Sequence, residues 1–198
     1  VNWNTRALTV AAIEAVYRET KGFDFEVIVV DNNSADDSVK MIKEKFPQVI
    51  LIENKENSGF AKGNNIGLKI AKGDYLMYLN TDTIVLDGAL NKLVGYLDTH
   101  PDVMMVGPRL LNGDLSFQHA CRRSLPNISS SFFHLFGLTK IFKKNKRINA
   151  YKKYSDDPNV TEPVEALSGA AMLFRRAVYE KTGGLDETFF MYGEDLDF

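Results

Sequence analysis

Phe25-Glu26-Val27-Ile28-Val29-Val30-Asp31-Asn32-Asn33-Ser34 is the stretch on which the fold turns. Six residues rich in β-branched side chains run into a carboxylate and then into small polar residues. A near-continuous apolar run of this length suits a strand buried on both faces of a parallel sheet. The same pattern recurs at Val49-Ile50-Leu51-Ile52 and at Tyr75-Leu76-Met77-Tyr78-Leu79. Helical spacing fills the intervals. Leu8, Ala12, Ala15 and Val16 mark a helix between Thr5 and Thr20, with Asn4 in position to cap it. A second helix runs through Val39, Ile42 and Phe46, with Ser34 as its expected cap. A third spans Ser58 to Ala71, and a fourth spans Asp87 to His100, before Pro101. Strand and helix in alternation argue for an α/β fold with a doubly wound, mostly parallel sheet flanked by helices.

The second half is less regular. Val103 to Leu110 reads as a strand and Asn112-Gly113 as a hairpin turn. Phe132 to Phe142 mixes aromatic and basic residues, and Lys143 to Pro163 reads as a loop. Val164 to Arg175 is apolar around Ser168-Gly169-Ala170, and Gly183-Gly184 breaks the chain before a final acidic segment.

The chain has 198 residues, enough for one cored domain. Hydrophobic residues make up 44% and charged residues 25%, the balance of an ordinary globular protein. No apolar run is long enough to span a bilayer. A single cysteine, Cys121, excludes an internal disulfide framework and fits a reducing compartment. Val1 reads as the tail of a strand, and Phe198 stops close to a dense acidic motif. The expectation is therefore one domain, 1–198, truncated at both ends and without a leader. The net charge of −2 conceals an asymmetry. Leu115 to Ser155 holds nine of the 24 basic residues and none of the 26 acidic ones. A patch of that kind attracts phosphates or anionic lipid, whereas the acidic remainder argues against nucleic acid as a partner.

In a doubly wound sheet, ligands gather beyond the carboxyl ends of the strands. Three polar clusters occupy such positions: Val1-Asn2-Trp3-Asn4, Asp31-Asn32-Asn33-Ser34 and Asn80-Thr81-Asp82-Thr83. Burying a carboxylate there is costly unless it is paired or metal-bound. Helix caps and turns account equally well for Asn33 and Ser34. Asn80-Thr81-Asp82 offers hard oxygen ligands of the kind Mg²⁺ or Mn²⁺ prefers, with phosphates supplying the rest. Glycines at 59, 63 and 67 line one face of the third helix, where a ligand or a strand can come close. Asn57, Lys62 and Asn65 beside them are candidates to touch a ligand. The last segment crowds Asp186, Glu187, Glu194, Asp195 and Asp197 among Phe189, Phe190, Met191 and Tyr192. Carboxylates in such a setting are candidates for a general base, although a helix start accounts for Asp197 and Glu194. His100, His119 and His134 lack zinc-ligand spacing and read as structural: His100 at a helix end, His119 on a strand with Cys121.

Five motifs occur in register. They are Phe25 to Ser34, Asn57-x-Gly59-Phe60-Ala61-x-Gly63-Asn64-Asn65-x-Gly67, Gly73 to Thr83, Ser168-Gly169-Ala170, and Gly183-Gly184-x-Asp186-Glu187-x-Phe189-Phe190-Met191-Tyr192-Gly193-Glu194-Asp195-x-Asp197. Together they resemble family 2 glycosyltransferases of the GT-A fold, within them the bacterial rhamnosyltransferase-like group. The resemblance covers nearly the whole chain. It implies residues 1–100 as a nucleotide-sugar-binding half and 101–198 as an acceptor-binding and catalytic half. It implies inverting transfer of a sugar, rhamnose among the candidates, from a dTDP- or UDP-sugar to a glycan or lipid-linked acceptor in cell-surface polysaccharide synthesis. Val1, Trp3, Asp31, Asn32, Asn57, Asn65, Asn80 and Thr81 would line the nucleotide. Asp82 would hold Mg²⁺ or Mn²⁺, Asp195 would be the base, and Gly169, Ala170 and Glu194 would border sugar and acceptor. One departure stands out, since Asn80 replaces the first acid of the family's Asp-x-Asp motif. The location implied is cytoplasmic, and the basic segment reads equally as peripheral contact at the inner membrane face or as an ordinary solvated loop. Two other readings stay open: a sugar-nucleotide pyrophosphorylase, which lacks support from a Gly-rich, basic loop after the first strand, and a non-catalytic sugar-nucleotide or polysaccharide-binding subunit.

Overall fold

The structure is a computed structural model that describes residues 1–123, 125 and 157–198. The expected aromatic–basic stretch from Phe132 to Phe142, His134, and most of the loop from Lys143 to Pro163 lie outside the described residues. Two compact units divide the chain: residues 1–106 with 169–198, and residues 107–168. The functional halves expected from sequence, 1–100 and 101–198, follow a different boundary, because residues 169–198 return to the first unit.

In the first unit the elements alternate as expected. They are α1 (Arg6–Glu19), β1 (Ile28–Asp31), α2 (Ser38–Lys45), β2 (Ile50–Glu53), α3 (Phe60–Leu68), β3 (Tyr75–Leu79) and α4 (Ala89–Thr99). β1 and β2 pair in parallel, from Ile28 opposite Ile50 to Asp31 opposite Glu53. Asn2 adds a parallel bridge to Asp31. Because side chains alternate along a strand, β1 is covered on both faces. Val29 packs with Ile13 of α1, Ile42 of α2, Phe46 and Val49. Ile28 and Val30 meet α3, where a Cβ at Gly67 would stand 3.4 Å from Val30 Cγ2. The glycine face of the third helix is thus a packing face at Gly67, which allows helix and strand to approach closely.

Two expected caps are corrected. Thr5, not Asn4, flanks α1, and Asn4 takes a left-handed backbone with φ 55°. Its Oδ1 accepts the Ala35 N–H at 2.7 Å instead. Ser34 lies four residues before α2, whose flanking residue is Asp37. Its hydroxyl takes N–H groups from the Asn2 side chain and the Asn4 backbone.

The sheet departs from the purely parallel expectation at β7 (Ala171–Arg175), which lies antiparallel between β3 and β4 (Met105–Val106). The expected strand from Val103 to Leu110 shrinks to β4. β7 is buried along four of its five residues, and Phe174 is wholly so. Leu173 joins Leu93 and Leu97 of α4 in one cluster. Between β1 and β3 lies a cavity of about 580 Å³, its apolar walls including Val30, Leu76, Tyr78 and Leu173. The unit closes with α5 (Arg176–Thr182), unforeseen from sequence, and α6 (Glu194–Asp197).

The second unit holds a bridge between Leu111 and Phe117, with Asn112 N–H on Ser116 O, so the expected hairpin forms around Asn112 to Ser116. β5 (Arg122–Arg123) pairs antiparallel with β6 (Ala166–Leu167). His119 to Cys121 form a 3₁₀ turn rather than a strand. Two of the nine basic residues of the expected patch are engaged within this unit. Arg122 pairs with Glu162 at 3.0 Å and lies over the Phe117 ring, while Arg123 donates to Leu167 O at 2.7 Å. The other seven lie outside the described residues. Among the described residues no helix is long and apolar enough to cross a membrane.

Candidate functional site

Asn2 is fully buried and is the hub of the first polar cluster. Its Nδ2 donates to Asp31 Oδ1 at 2.6 Å and to Ser34 Oγ at 3.0 Å. Its Oδ1 accepts from the hydroxyls of Thr5 and Thr9, both at 2.7 Å. Asp31, 1% exposed, also accepts the Ser34 N–H at 2.9 Å. The carboxylate at the end of β1 is therefore paid for by hydrogen bonds to both oxygens, which is the condition for burying it.

Asn32 is equally buried. Its Nδ2 donates to Asn57 Oδ1 at 3.1 Å and Gly59 O at 2.9 Å. Its Oδ1 accepts from Asn54 Nδ2 at 2.8 Å and Ser58 Oγ at 3.1 Å. Asn57 in turn accepts the Gly59 N–H. The loop before α3 is thus fixed to the end of β1 by amide side chains. Trp3, 52% exposed, projects from the neighbouring chain entry, and Val1 is half-buried against Gly63.

A hydroxyl contact links this cluster to the end of β3: Thr5 Oγ1 and Thr81 Oγ1 stand 3.2 Å apart. One residue back, the Asn80 N–H donates to Ala170 O at 2.9 Å, and Thr83 N–H returns to Asn80 O. Asn80 Oδ1 is buried with no hydrogen-bond partner. Asp82 is exposed beside them. One residue along from Ala170, the Gly169 N–H donates to Asp195 Oδ2 at 2.9 Å. Asp195 is half-buried in α6, and Glu194 beside it is buried.

These contacts form one hydrogen-bonded line: Asp31, Asn2, Thr5, Thr81, then through the backbone Asn80, Ala170, Gly169 and Asp195. The ends of β1, β3 and β7 and the start of α6 are brought to one place. Of the expected residues, Asp31, Asn32, Asn57, Asn80, Thr81, Gly169, Ala170 and Asp195 lie on this line or hydrogen-bond beside it, and Asp82 is one residue from it. Asn65 is committed elsewhere, with its Nδ2 on Leu185 O and Glu187 Oε1 and its Oδ1 on the Leu185 N–H. Asn2 was expected only as a member of the first polar cluster, with no role of its own, and Thr5 and Thr9 were not among the sequence candidates. Small polar residues at a strand end and in a first helical turn carry no local sign of a shared buried partner.

Among the described residues no three of His, Cys, Asp and Glu stand close enough to hold a metal ion. What Asn80-Thr81-Asp82 supplies is one exposed carboxylate and one buried amide oxygen that lacks a donor. That donor set suits a hard cation shared with a phosphate ligand. It does not make an all-protein cage.

Over 184 residues the chain is 27% identical to the N-acetylglucosaminyl-diphospho-decaprenol L-rhamnosyltransferase of Mycobacterium tuberculosis, covering 86% of this chain and 58% of that protein. It superposes on residues 1–349 of Staphylococcus aureus TarS with a TM-score of 0.65 at 18% identity, over 98% of this chain and 51% of that one. It also superposes on the mannosyltransferase PcManGT of Pyrobaculum calidifontis, solved with GDP-Man and Mn²⁺. The TM-score is 0.61 at 20% identity, over 98% of this chain and 47% of that one. The α/β fold, of GT-A type, is shared with both. The chain thus spans about half the length of the proteins it matches. The glycosyl transferase family 2 profile matches residues 1–183, a range that takes in Asp31, Asn80, Asp82 and Gly169 and ends before Asp195. On that match across most of its length, the chain belongs to glycosyl transferase family 2.

Proposed function

We propose that this chain is the catalytic core of an inverting glycosyltransferase. It would move a sugar, rhamnose foremost, from a dTDP- or UDP-sugar to a glycan or lipid-linked acceptor of a cell-surface polysaccharide. The observation that carries the reading is the hydrogen-bonded line from Asp31 to Asp195, because transfer needs a nucleotide pocket and a proton acceptor at one place.

In this reading the buried Asp31 and Asn32 shape the wall of the pocket that receives the pyrimidine, with Asn57, the Trp3 ring and the Val1 backbone beside it. Asn80 and Thr81 face the diphosphate. Asp82 and the orphaned Asn80 oxygen would hold Mg²⁺ or Mn²⁺, which when bound neutralises charge on the departing nucleotide. Asp195 takes the proton of the acceptor hydroxyl as that oxygen bonds to the anomeric carbon. The bond from that carbon to the diphosphate oxygen breaks on the opposite side, so configuration inverts. Gly169, Ala170 and Glu194 border the sugar and acceptor. The location consistent with a lipid-linked acceptor is the cytoplasmic face of the membrane, approached peripherally.

Titration of the full-length protein with UDP and with dTDP, each with and without Mn²⁺, tests the donor side. Mn²⁺ is expected to tighten one of them by at least about tenfold, equivalent to about 1.4 kcal/mol. Asp82→Ala is expected to remove that gain while leaving metal-free binding unchanged. No metal-dependent binding of either nucleotide would reject the donor assignment.

Gly169 tests the acceptor side. A Cβ there would stand 3.1 Å from Asp195 Cβ and 3.3 Å from Oδ2. Gly169→Ala forces a small shift of the carboxylate, and small misplacements near chemistry are costly. Turnover is expected to fall by about tenfold, with a stability loss of about 1 kcal/mol. Steady-state kinetics beside thermal melting separates the two, and unchanged turnover would show that Asp195 does not need this backing.

A further inference from the structure

Residues 183–198 carry the base assigned above, and besides the Phe198 ring packed on Tyr78 and Phe174, three hydrogen-bonded tethers among the described residues hold this segment in the first unit. The first is Asn65 of α3. Its Nδ2 donates to Leu185 O at 2.7 Å and to Glu187 Oε1 at 3.0 Å, while its Oδ1 accepts the Leu185 N–H at 2.8 Å. The side-chain amide thus pairs with Leu185 on both sides, as a neighbouring strand would. Asn65 is 8% exposed and Leu185 3% exposed, so water does not readily replace these bonds. Gly184 makes room for the pair, because a Cβ there would fall 2.0 Å from Asn65 Oδ1. The second tether is the Phe60 N–H, which donates to Phe190 O at 2.8 Å. Phe60 opens α3, and a first-turn N–H has no partner within its own helix. The third is the Gly169 N–H on Asp195.

Between the second tether and the buried Glu194 the chain has little packing of its own. Phe190, Met191 and Tyr192 are 57%, 47% and 82% exposed. Tyr192 adopts φ 71°, a region a bulky side chain rarely takes, and Gly193 follows at φ 98°. A strained, poorly buried turn does not fix its own position, so its supports must.

We propose that Asn65 is a positioning residue for Asp195: by clamping Leu185 and Glu187 to α3 it sets where α6 presents the carboxylate. The inference rests on the reading of Asp195 as the base. It also gives α3 two tasks. The loop leading into the helix, Asn57 to Gly59, holds Asn32 at the nucleotide end, and the helix body holds the segment that delivers the proton acceptor. One rigid element therefore sets the distance between donor pocket and base.

The test uses the full-length protein with Asn65→Ala, Asn65→Asp and the pair Asn65→Asp with Glu187→Gln. Affinity for UDP and dTDP is read by calorimetry, kcat and donor KM by kinetics, and amide exchange over residues 185–190 by mass spectrometry. Asn65→Ala is expected to lower kcat by about 30- to 100-fold, the scale of an ångström-sized misplacement. Nucleotide affinity should stay within about twofold, and exchange should quicken by at least about tenfold, or 1.4 kcal/mol of lost protection. Asn65→Asp keeps the acceptor for the Leu185 N–H but sets a carboxylate against Leu185 O and Glu187, so it should be as impaired. Adding Glu187→Gln removes the repulsion between the two carboxylates, though not that from Leu185 O, and should recover part of the loss, about tenfold in kcat, again about 1.4 kcal/mol. Nucleotide affinity falling in step with kcat would make Asn65 a donor contact and overturn the proposal. So would a kcat and an exchange rate that stay at wild-type values. If Asn65→Ala fails to fold, the comparison of Asn65→Asp with the double variant decides, and absence of recovery counts against the clamp. If the wild type transfers no sugar, the functional reading fails by itself, and faster exchange in Asn65→Asp still separates a working clamp from none.

Discussion

Asp195→Asn is expected to lower sugar transfer by about a thousandfold, within the range of roughly 10²- to 10⁴-fold that general acid–base catalysis contributes. The amide keeps the shape of the carboxylate, and its oxygen can still accept the Gly169 N–H that now reaches Oδ2 at 2.9 Å. What it loses is the ability to take a proton. Nucleotide affinity should therefore stay within about twofold, since Asp195 is assigned to the acceptor and an interaction made only in the transition state leaves ground-state binding alone. The melting temperature should hardly move. The measurement is kcat in the full-length enzyme beside UDP and dTDP titrations of the same preparation. Turnover within about tenfold of wild type would remove the base assignment, because a group doing this work cannot be dispensed with so cheaply.

The second large effect is on stability. Phe174→Ala is expected to cost about 3–5 kcal/mol, the usual range for emptying a buried phenylalanine site. Phe174 is fully buried in β7 and meets two other rings. Its centroid lies 5.1 Å from Tyr78 of β3 and 5.1 Å from Phe198, and Tyr78 and Phe198 are 5.6 Å apart. Tilted and edge-to-face contacts at these separations add to the area buried. The three rings join the sheet to the residue directly after α6, so the same cavity would loosen the element that carries Asp195. A loss of this size is a large part of a typical folding free energy. Urea unfolding of wild type and variant gives the number. Phe174→Leu, which keeps most of the volume, should cost well under half as much. A loss below about 1 kcal/mol in Phe174→Ala would mean that this cluster does not hold the sheet together.

Much of this was legible along the chain. β3 lies where the run Tyr75 to Leu79 put it, and β1 ends on Asp31 as the apolar run before it required. The first four helices fall within the expected spans. Local periodicity is enough for such elements, because a strand buried on both faces and a helix with one apolar face leave different marks within ten or so residues. The polar clusters at the ends of β1 and β3 were found for the same reason: they interrupt apolar runs at the edge where ligands gather.

What the sequence by itself determined, then, is the order of elements and the residue types standing at their ends. Only the tertiary structure decided the partners. β7 enters antiparallel between β3 and β4, and nothing in Ala171 to Arg175 states a direction, since the apolar content of a strand is the same read either way. Asn2 became the hub of the site through a bond to a residue 29 positions away, and Asn65 became a clamp through one 120 positions away. An asparagine side chain donates and accepts with equal ease, so its chemistry names no partner until folding brings one within 3 Å and excludes the water that would otherwise serve.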